Sequence, residues 1–184
     1  MKRIKNGISG RKYGKQDNVF CIIYCTDAKP YLNYDVYKES KKKEDRDKVS
    51  KSYPLVLAQM RHDCKIGFPG GKVDSEDISL IDGLKKELIE EINLDISDVN
   101  NLEILSTYSS QKSHTTTFLY EVTFEEMIEI VNKSKLAKHS FIENMGSFMF
   151  RLDDETLDNI VKHNFSGTGA KDLKLLIKSK NLLG

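Results

Sequence analysis

Glu87, Glu90 and Glu91 lie close together in the run Lys85-Lys86-Glu87-Leu88-Ile89-Glu90-Glu91. On a helix turning 100° per residue, three such positions occupy an arc of about 100°. Like charges so placed repel, by a few tenths of a kcal/mol for an exposed i, i+4 pair. Partial burial makes the conflict worse, and each carboxylate then raises the pKa of the others. Hard divalent cations remove the conflict, because Mg²⁺ or Mn²⁺ take carboxylate oxygens and Mg²⁺ commonly joins a protein site to substrate phosphates. The plain alternative is a solvated acidic face with Lys85 and Lys86 beside it. The preceding run, Gly67-Phe68-Pro69-Gly70-Gly71, weighs against that alternative. Gly70 and Gly71 let the backbone come close to a metal or phosphate, where a side chain would block the approach. A glycine loop leading into a helix with clustered carboxylates suits metal-assisted chemistry on a diphosphate.

The helix that must carry these groups runs from about Ser79 to Ile92. Ser79 with Asp82 three residues on resembles a capping box. Ile81, Leu84, Leu88 and Ile92 share an arc of about 80°, an apolar stripe for a core. Apolar, β-prone runs predict strands at Val19–Cys25, Tyr53–Met60, Leu102–Tyr108, Thr115–Val122 and Ser147–Leu152. Gly67–Gly71 reads as a turn-rich loop. Further helices are predicted at Phe124–Val131, with Glu125 and Glu126 suiting the helix dipole, at Asp153–Lys162 and at Ala170–Lys180. Residues 38–51, KESKKKEDRDKVSK, read as a solvated charged insertion. Strands and helices alternate irregularly and no repeat is present, which predicts an α/β (mixed α+β) sandwich with a mixed sheet.

The totals suit one domain over residues 17–184 behind a flexible basic terminus at 1–16. The chain has 184 residues, 39% hydrophobic and 31% charged, with a net charge of +1. Those values exclude a strong global attraction to nucleic acid. No apolar run reaches the roughly 18 residues of a membrane span. Met1–Lys15 is basic but has no apolar segment, so it is not a secretory signal. Three cysteines, Cys21, Cys25 and Cys64, form no zinc-ligand pattern and read as buried small apolar residues in an intracellular protein, cytoplasmic or nuclear.

The segment Gly71–Leu94, GKVDSEDISLIDGLKKELIEEINL, resembles the Nudix box, G-x5-E-x7-R-E-U-x-E-E-x-G-U with U apolar. Glu87-Leu88-Ile89-Glu90-Glu91 matches its core. The box is one residue longer than usual. Asp77 or Glu76 stands at the first acid, Lys86 replaces an arginine and Asn93 replaces a glycine. Asn tolerates the left-handed conformation of a helix end, whereas lysine lacks the planar fork of arginine. The run GFPGGxVDxxDxSLxDGLxxELxEE is similar to the nuclear decapping Nudix enzymes that act on small-nucleolar-RNA caps and inosine diphosphates. Gln59-Met60-Arg61, Ala137-Lys138-His139 with Glu143, and Asn164-Phe165 with Gly169-Ala170 extend the likeness over roughly residues 18–183.

The resemblance implies a Nudix-type α/β/α sandwich. It implies two to three Mg²⁺ or Mn²⁺ ions held by Glu87, Glu90 and Glu91, with the Gly70 carbonyl and with Glu143 from a later loop. It implies that Arg61 contacts phosphate or ribose, that Phe68 lines the base pocket, and that the chain forms a homodimer. A family histidine falls at Phe20, and a family glutamine near Leu173 or Lys174. Phe20 can stack on any base but selects none by hydrogen bonding. The expected reaction is hydrolysis of a phosphoanhydride bond in a nucleoside-diphosphate-linked substrate, capped RNA first. A nucleoside diphosphatase is the alternative, and a non-catalytic RNA-binding or scaffold protein is the rival of another class. Glu90 or Glu91 is expected to position or deprotonate the water, with Glu143 next. His114 and His139 are further candidates, each with a structural role as the plainer reading.

Overall fold

The computed structural model describes residues 2–4, 14–29, 52–97, 99–153 and 164–183. The 38–51 insertion and nearly all of the helix expected at 153–162 lie outside them. The described strands are β1 (Lys2–Ile4), β2 (Gln16–Ala28), β3 (Tyr53–Arg61), β4 (Ile66–Gly67), β5 (Gly70–Lys72), β6 (Leu102–Ser109), β7 (Ser113–Glu121) and β8 (Asn144–Arg151). The helices are α1 (Leu80–Ile92), α2 (Phe124–Ser134) and α3 (Gly169–Lys180). Each strand and helix expected within the described residues is present, with ends shifted by a few residues. Within the terminus expected to be loose, Lys2–Ile4 pairs antiparallel with β6.

The sheet is mixed, as expected. Its order is β1-β6-β7-β2-β3-β4, with β5 added on β2 and β8 on β3. β2 and β7 run parallel and the other pairs are antiparallel. β2 reads as an unbroken apolar run because both its faces are covered. Val19, Cys21, Ile23 and Cys25 point to one core with Leu84, Leu88 and Ile92 of α1 and Met127 and Ile130 of α2. Ile22 and Tyr24 point to the other, with Leu173 and Leu176 of α3. Period-two alternation in the strand thus feeds two helical layers, and the result is an α/β/α sandwich. Among the described residues no helix is long and apolar enough to cross a membrane.

Two expectations need correction. Cys21 and Cys25 are buried but Cys64 is exposed. Cys64 sits in the turn between β3 and β4 at φ 59°, and a tight turn there keeps its side chain in solvent. Gly67–Gly71 is not all loop, because its two ends pair as β4 and β5. That pairing shapes the site. Tyr24–Ala28 of β2 pairs with β3, whereas Asn18–Phe20 pairs with β5. β2 and β3 therefore fork, and the Gly-Phe-Pro-Gly-Gly segment fills the fork, with Cys21 N–H donating to the Pro69 carbonyl at 2.9 Å.

Candidate active site

Helix α1 is set by its two ends. Ser79 is the N-cap, its hydroxyl oxygen accepting from Asp82 N–H at 3.1 Å. That bond is one half of the expected box, and the hydroxyl also donates to the Asp82 carboxylate at 2.7 Å. Asn93 takes the left-handed conformation at φ 54°. Its N–H reaches the Ile89 carbonyl and Leu94 N–H reaches the Leu88 carbonyl, each at 3.1 Å. Asparagine thus closes the helix where the motif has glycine. Lys86 forms an ion pair with Asp74, and Asp77 accepts from Asp74 N–H at 2.7 Å. The lysine therefore still braces the loop ahead of the helix, without a guanidinium fork.

With Leu84, Leu88 and Ile92 buried, α1 turns Glu87 and Glu91 toward the fork. Oxygens of Glu87, Glu91 and Glu143 lie within 4.8 Å of one another. Glu143 arrives from the segment between α2 and β8, more than fifty residues later in the chain. The turn that carries it is tied to α1 by His139 N–H donating to the Glu90 carbonyl at 2.9 Å. The Glu90 side chain does not join the cluster. It faces Lys138 at 3.4 Å and His139 Nδ1 at 3.7 Å. The structure therefore brings together Glu87, Glu91 and Glu143, and leaves Glu90 at the rim. His139 Nδ1 is 3.1 Å from Glu143 Oε1, without hydrogen-bond geometry. His114 is buried in the sheet and does not line the cavity.

The two glycines have separate jobs. Gly70 sits at φ +133°, and a Cβ there would lie 2.2 Å from the Val19 carbonyl oxygen. Its N–H donates to Glu91 Oε2 at 2.8 Å. A Cβ at Gly71 would meet both Glu87 carboxylate oxygens at 2.7 Å. Gly71 is therefore the space in which Glu87 rests.

The acids fit a cation site electrostatically. Burial first, then Glu143 and Glu90, pushes the Glu87 carboxyl up to about 7. Burial pushes Glu91 up to about 8 against the Gly70 hydrogen bond, with Glu87 and Glu143 adding to the rise. Lys86, held in its charged form by Asp74, is paired away from them. Two half-neutral, crowded carboxyls with a third at hand are what a hard divalent cation would ionise. The sign of the linkage is testable. A carboxyl with a raised folded pKa stabilises the metal-free protein below its unfolded value of 4.5, and that contribution is lost as pH rises through 7 and 8. Thermal melts in chelator should show Tm falling across this window, and Mg²⁺ or Mn²⁺ should raise Tm more at pH 8.5 than at pH 6. An equal rise at both pH values would refute the cation reading.

A cavity of about 420 Å³ opens beside the acids. Glu91 and Glu143 stand on its wall with Arg61, Phe20, Phe68 and Gly70, so the expected substrate contacts share one space. Phe68 is buried, its ring 5.4 Å from that of Phe165. Leu173 and Lys174 do not line the cavity. Leu173 is fully buried in the core under α3 and Lys174 is exposed. The cavity residues of α3 are Gly169, Lys171 and Asp172; Asp172 reaches it where Leu173 does not because one residue on a helix turns the side chain by 100°. Asp172 is buried and receives Ser106 Oγ at 2.6 Å and Thr117 Oγ1 at 3.0 Å. Sequence reasoning missed Asp172, and it missed Gln59 and Asn144, which line the same cavity. The signal for Asn144 was its place directly after Glu143, while nothing local marked Asp172.

The fold is that of the Nudix proteins. Solved structures similar to it include a mutT/nudix family protein from Listeria innocua, with TM-score 0.58 and 14% identity over 90% of this chain and 94% of that one. The NUDIX domain of Shewanella oneidensis NrtR, complexed with ADP ribose, has TM-score 0.56 and 12% identity over 90% and 88%. At such identities the likeness concerns the fold. Within the class, the chain belongs to the Nudt16-like family, described as U8 snoRNA-decapping enzyme-like, whose model matches residues 19–183. Similar curated proteins are the U8 snoRNA-decapping enzymes of Xenopus laevis, 33% identical over 70% of this chain and 66% of that protein, and of Mus musculus, 28% identical over 70% of each. The enzyme of Homalodisca vitripennis is 38% identical over 53% of this chain and 54% of its own. The matches thus span 66%, 70% and 54% of the lengths of these three relatives.

Proposed function

We propose that this chain hydrolyses a phosphoanhydride bond in a nucleoside-diphosphate-linked substrate, with capped RNA first among the substrates. The observation that carries the reading is the Glu87–Glu91–Glu143 cluster, of which Glu91 and Glu143 stand on the wall of a nucleoside-sized cavity that also holds Arg61 and two aromatic side chains. Glu87, Glu91 and Glu143, with the Gly70 carbonyl, would hold two or three Mg²⁺ or Mn²⁺ ions. When bound, such ions neutralise charge on the leaving phosphate and lower the pKa of a water.

The chain's own groups do the rest. Arg61 holds a phosphate oxygen, and Phe20 and Phe68 flank the base. Gly70 N–H fixes Glu91 through Oε2, so the other carboxylate oxygen of Glu91 is the one that takes the proton of the attacking water. Glu143, hydrogen-bonded to Glu91, is the second acceptor. Water attacks phosphorus, the anhydride P–O bond breaks, and the products are a nucleoside phosphate and a phosphorylated remainder.

A free nucleoside diphosphate is the second reading. It is favoured by the size of the cavity, which accommodates one nucleoside. A panel of capped RNA, inosine diphosphate and guanosine diphosphate, with Mg²⁺ and Mn²⁺ at two salt concentrations, separates the two. Faster turnover of capped RNA, falling steeply with salt, supports decapping. Equal or better turnover of free diphosphates supports the second reading. No hydrolysis with either metal would point to a non-catalytic binding protein.

A further inference from the structure

Two buried amides on the cavity wall each have a donor with no partner. Gln59 and Asn144 are both 3% exposed and both line the cavity. Among the described residues, neither Gln59 Nε2 nor Asn144 Nδ2 has a hydrogen-bond partner. The orientation of Asn144 is fixed, because its Oδ1 accepts from Gly146 N–H at 2.9 Å. Its Nδ2 is therefore the end without a bond. A buried donor without a partner is costly, and folded chains keep one only where a ligand, ion or ordered water completes it.

The placement of the two amides indicates the acceptor. Asn144 directly follows Glu143, whose carboxylate belongs to the acid cluster. Its Cα partner across the β3–β8 pair is Arg61. Gln59 lies two residues before Arg61 on β3, beside the register shift that re-aims Arg61. The aromatic residues that suit a base, Phe20 and Phe68, are on β2 and on the segment that fills the fork, and Gln59 reaches that segment through its pairing with Gly67. A ligand atom beside both an arginine and a cluster of carboxylates that suits cations is an anionic oxygen able to take several donors at once. A phosphoryl oxygen has that character.

We propose that Asn144 Nδ2 and Gln59 Nε2 donate to non-bridging phosphate oxygens of a bound diphosphate, forming with Arg61 a donor wall beside the acid cluster of Glu87, Glu91 and Glu143. This rests on the reading of the cavity as a diphosphate site. Both amides act on the phosphates common to all substrates, so they set affinity and not base preference.

Two substitutions test the assignment. Asn144→Ser keeps an oxygen able to accept from Gly146 N–H and removes the amide donor. Gln59→Met keeps length and removes the whole amide. The probes are guanosine, inosine and uridine diphosphates with a methylene bridge between the phosphorus atoms, titrated by calorimetry in Mg²⁺. Kd should rise about tenfold for each variant, by the same factor for all three bases. Tm without ligand should be unchanged or higher, because an unmet donor has been removed. Wild-type affinity in both variants would overturn the proposal, as would a loss confined to one base, or a fall in Tm that accounts for the weaker binding. A wild-type chain that binds these analogues with the expected variant losses, yet cleaves no diphosphate, upholds the donor wall and removes the hydrolase reading.

Discussion

Glu91→Gln should lower kcat by about a thousandfold or more while leaving the fold intact. Glutamine has the shape of glutamate, and its amide oxygen can still accept from Gly70 N–H, the bond that now holds Glu91 Oε2 at 2.8 Å. The change removes the charge available to a cation and the oxygen able to take a proton. Because burial holds the Glu91 carboxyl up to about 8, the metal-free wild type already carries it largely neutral at pH 7. The metal-free variant should therefore melt at or above the wild-type Tm near neutral pH, and the rise in Tm with Mg²⁺ or Mn²⁺ should shrink sharply. Turnover and melts on the same preparations decide the matter, and wild-type kcat in the variant would remove Glu91 from the chemistry. Glu90→Gln is the useful contrast. Its carboxylate faces Lys138 and His139, so a much smaller loss is expected.

Gly70→Ala should cost about 3 kcal/mol or more of stability and about a hundredfold in kcat/KM. Gly70 combines a φ of +133° with a Cβ position 2.2 Å from the Val19 carbonyl oxygen and 2.7 Å from Phe20 Cα. Both obstacles are backbone, so relief requires separating β5 from β2, whose pairing runs through Phe20 and Gly70. Strain at such a φ alone costs about 1–3 kcal/mol, and the clash adds to it. For a chain of this length each kcal/mol moves Tm by roughly 2–4 °C. The activity loss follows because Gly70 N–H positions Glu91, and about 1 Å of misplacement at a reacting centre can cost a hundredfold. Gly146→Ala separates the two causes. Gly146 has nearly the same φ, +131°, but open space where a Cβ would go, so it should lose only the part due to strain. Equal losses at the two positions would show that the approach to Val19 is unimportant.

What could be read from the residues alone is what depends on short spacing. The 3.6-residue period placed Leu84, Leu88 and Ile92 on one face of α1. Ser79 and Asn93 marked its ends through capping chemistry that needs only neighbouring residues. The glycines, the box glutamates and the strand at Val19–Cys25 were legible for the same reason. The tertiary structure decided how segments distant in the chain meet. Glu143 joins Glu87 and Glu91 only because β8 pairs with β3 and the turn before it is tied to the Glu90 carbonyl. That same tie draws Lys138 and His139 onto the Glu90 side chain, so three glutamates adjacent on the helix divide into two at the site and one at its rim. Asp172, and not Leu173 or Lys174, reaches the cavity because a helix's rotation about its axis is set by the core it packs on. Gln59 and Asn144 were silent in the sequence because an unmet donor exists only once folding has removed the water that would have met it.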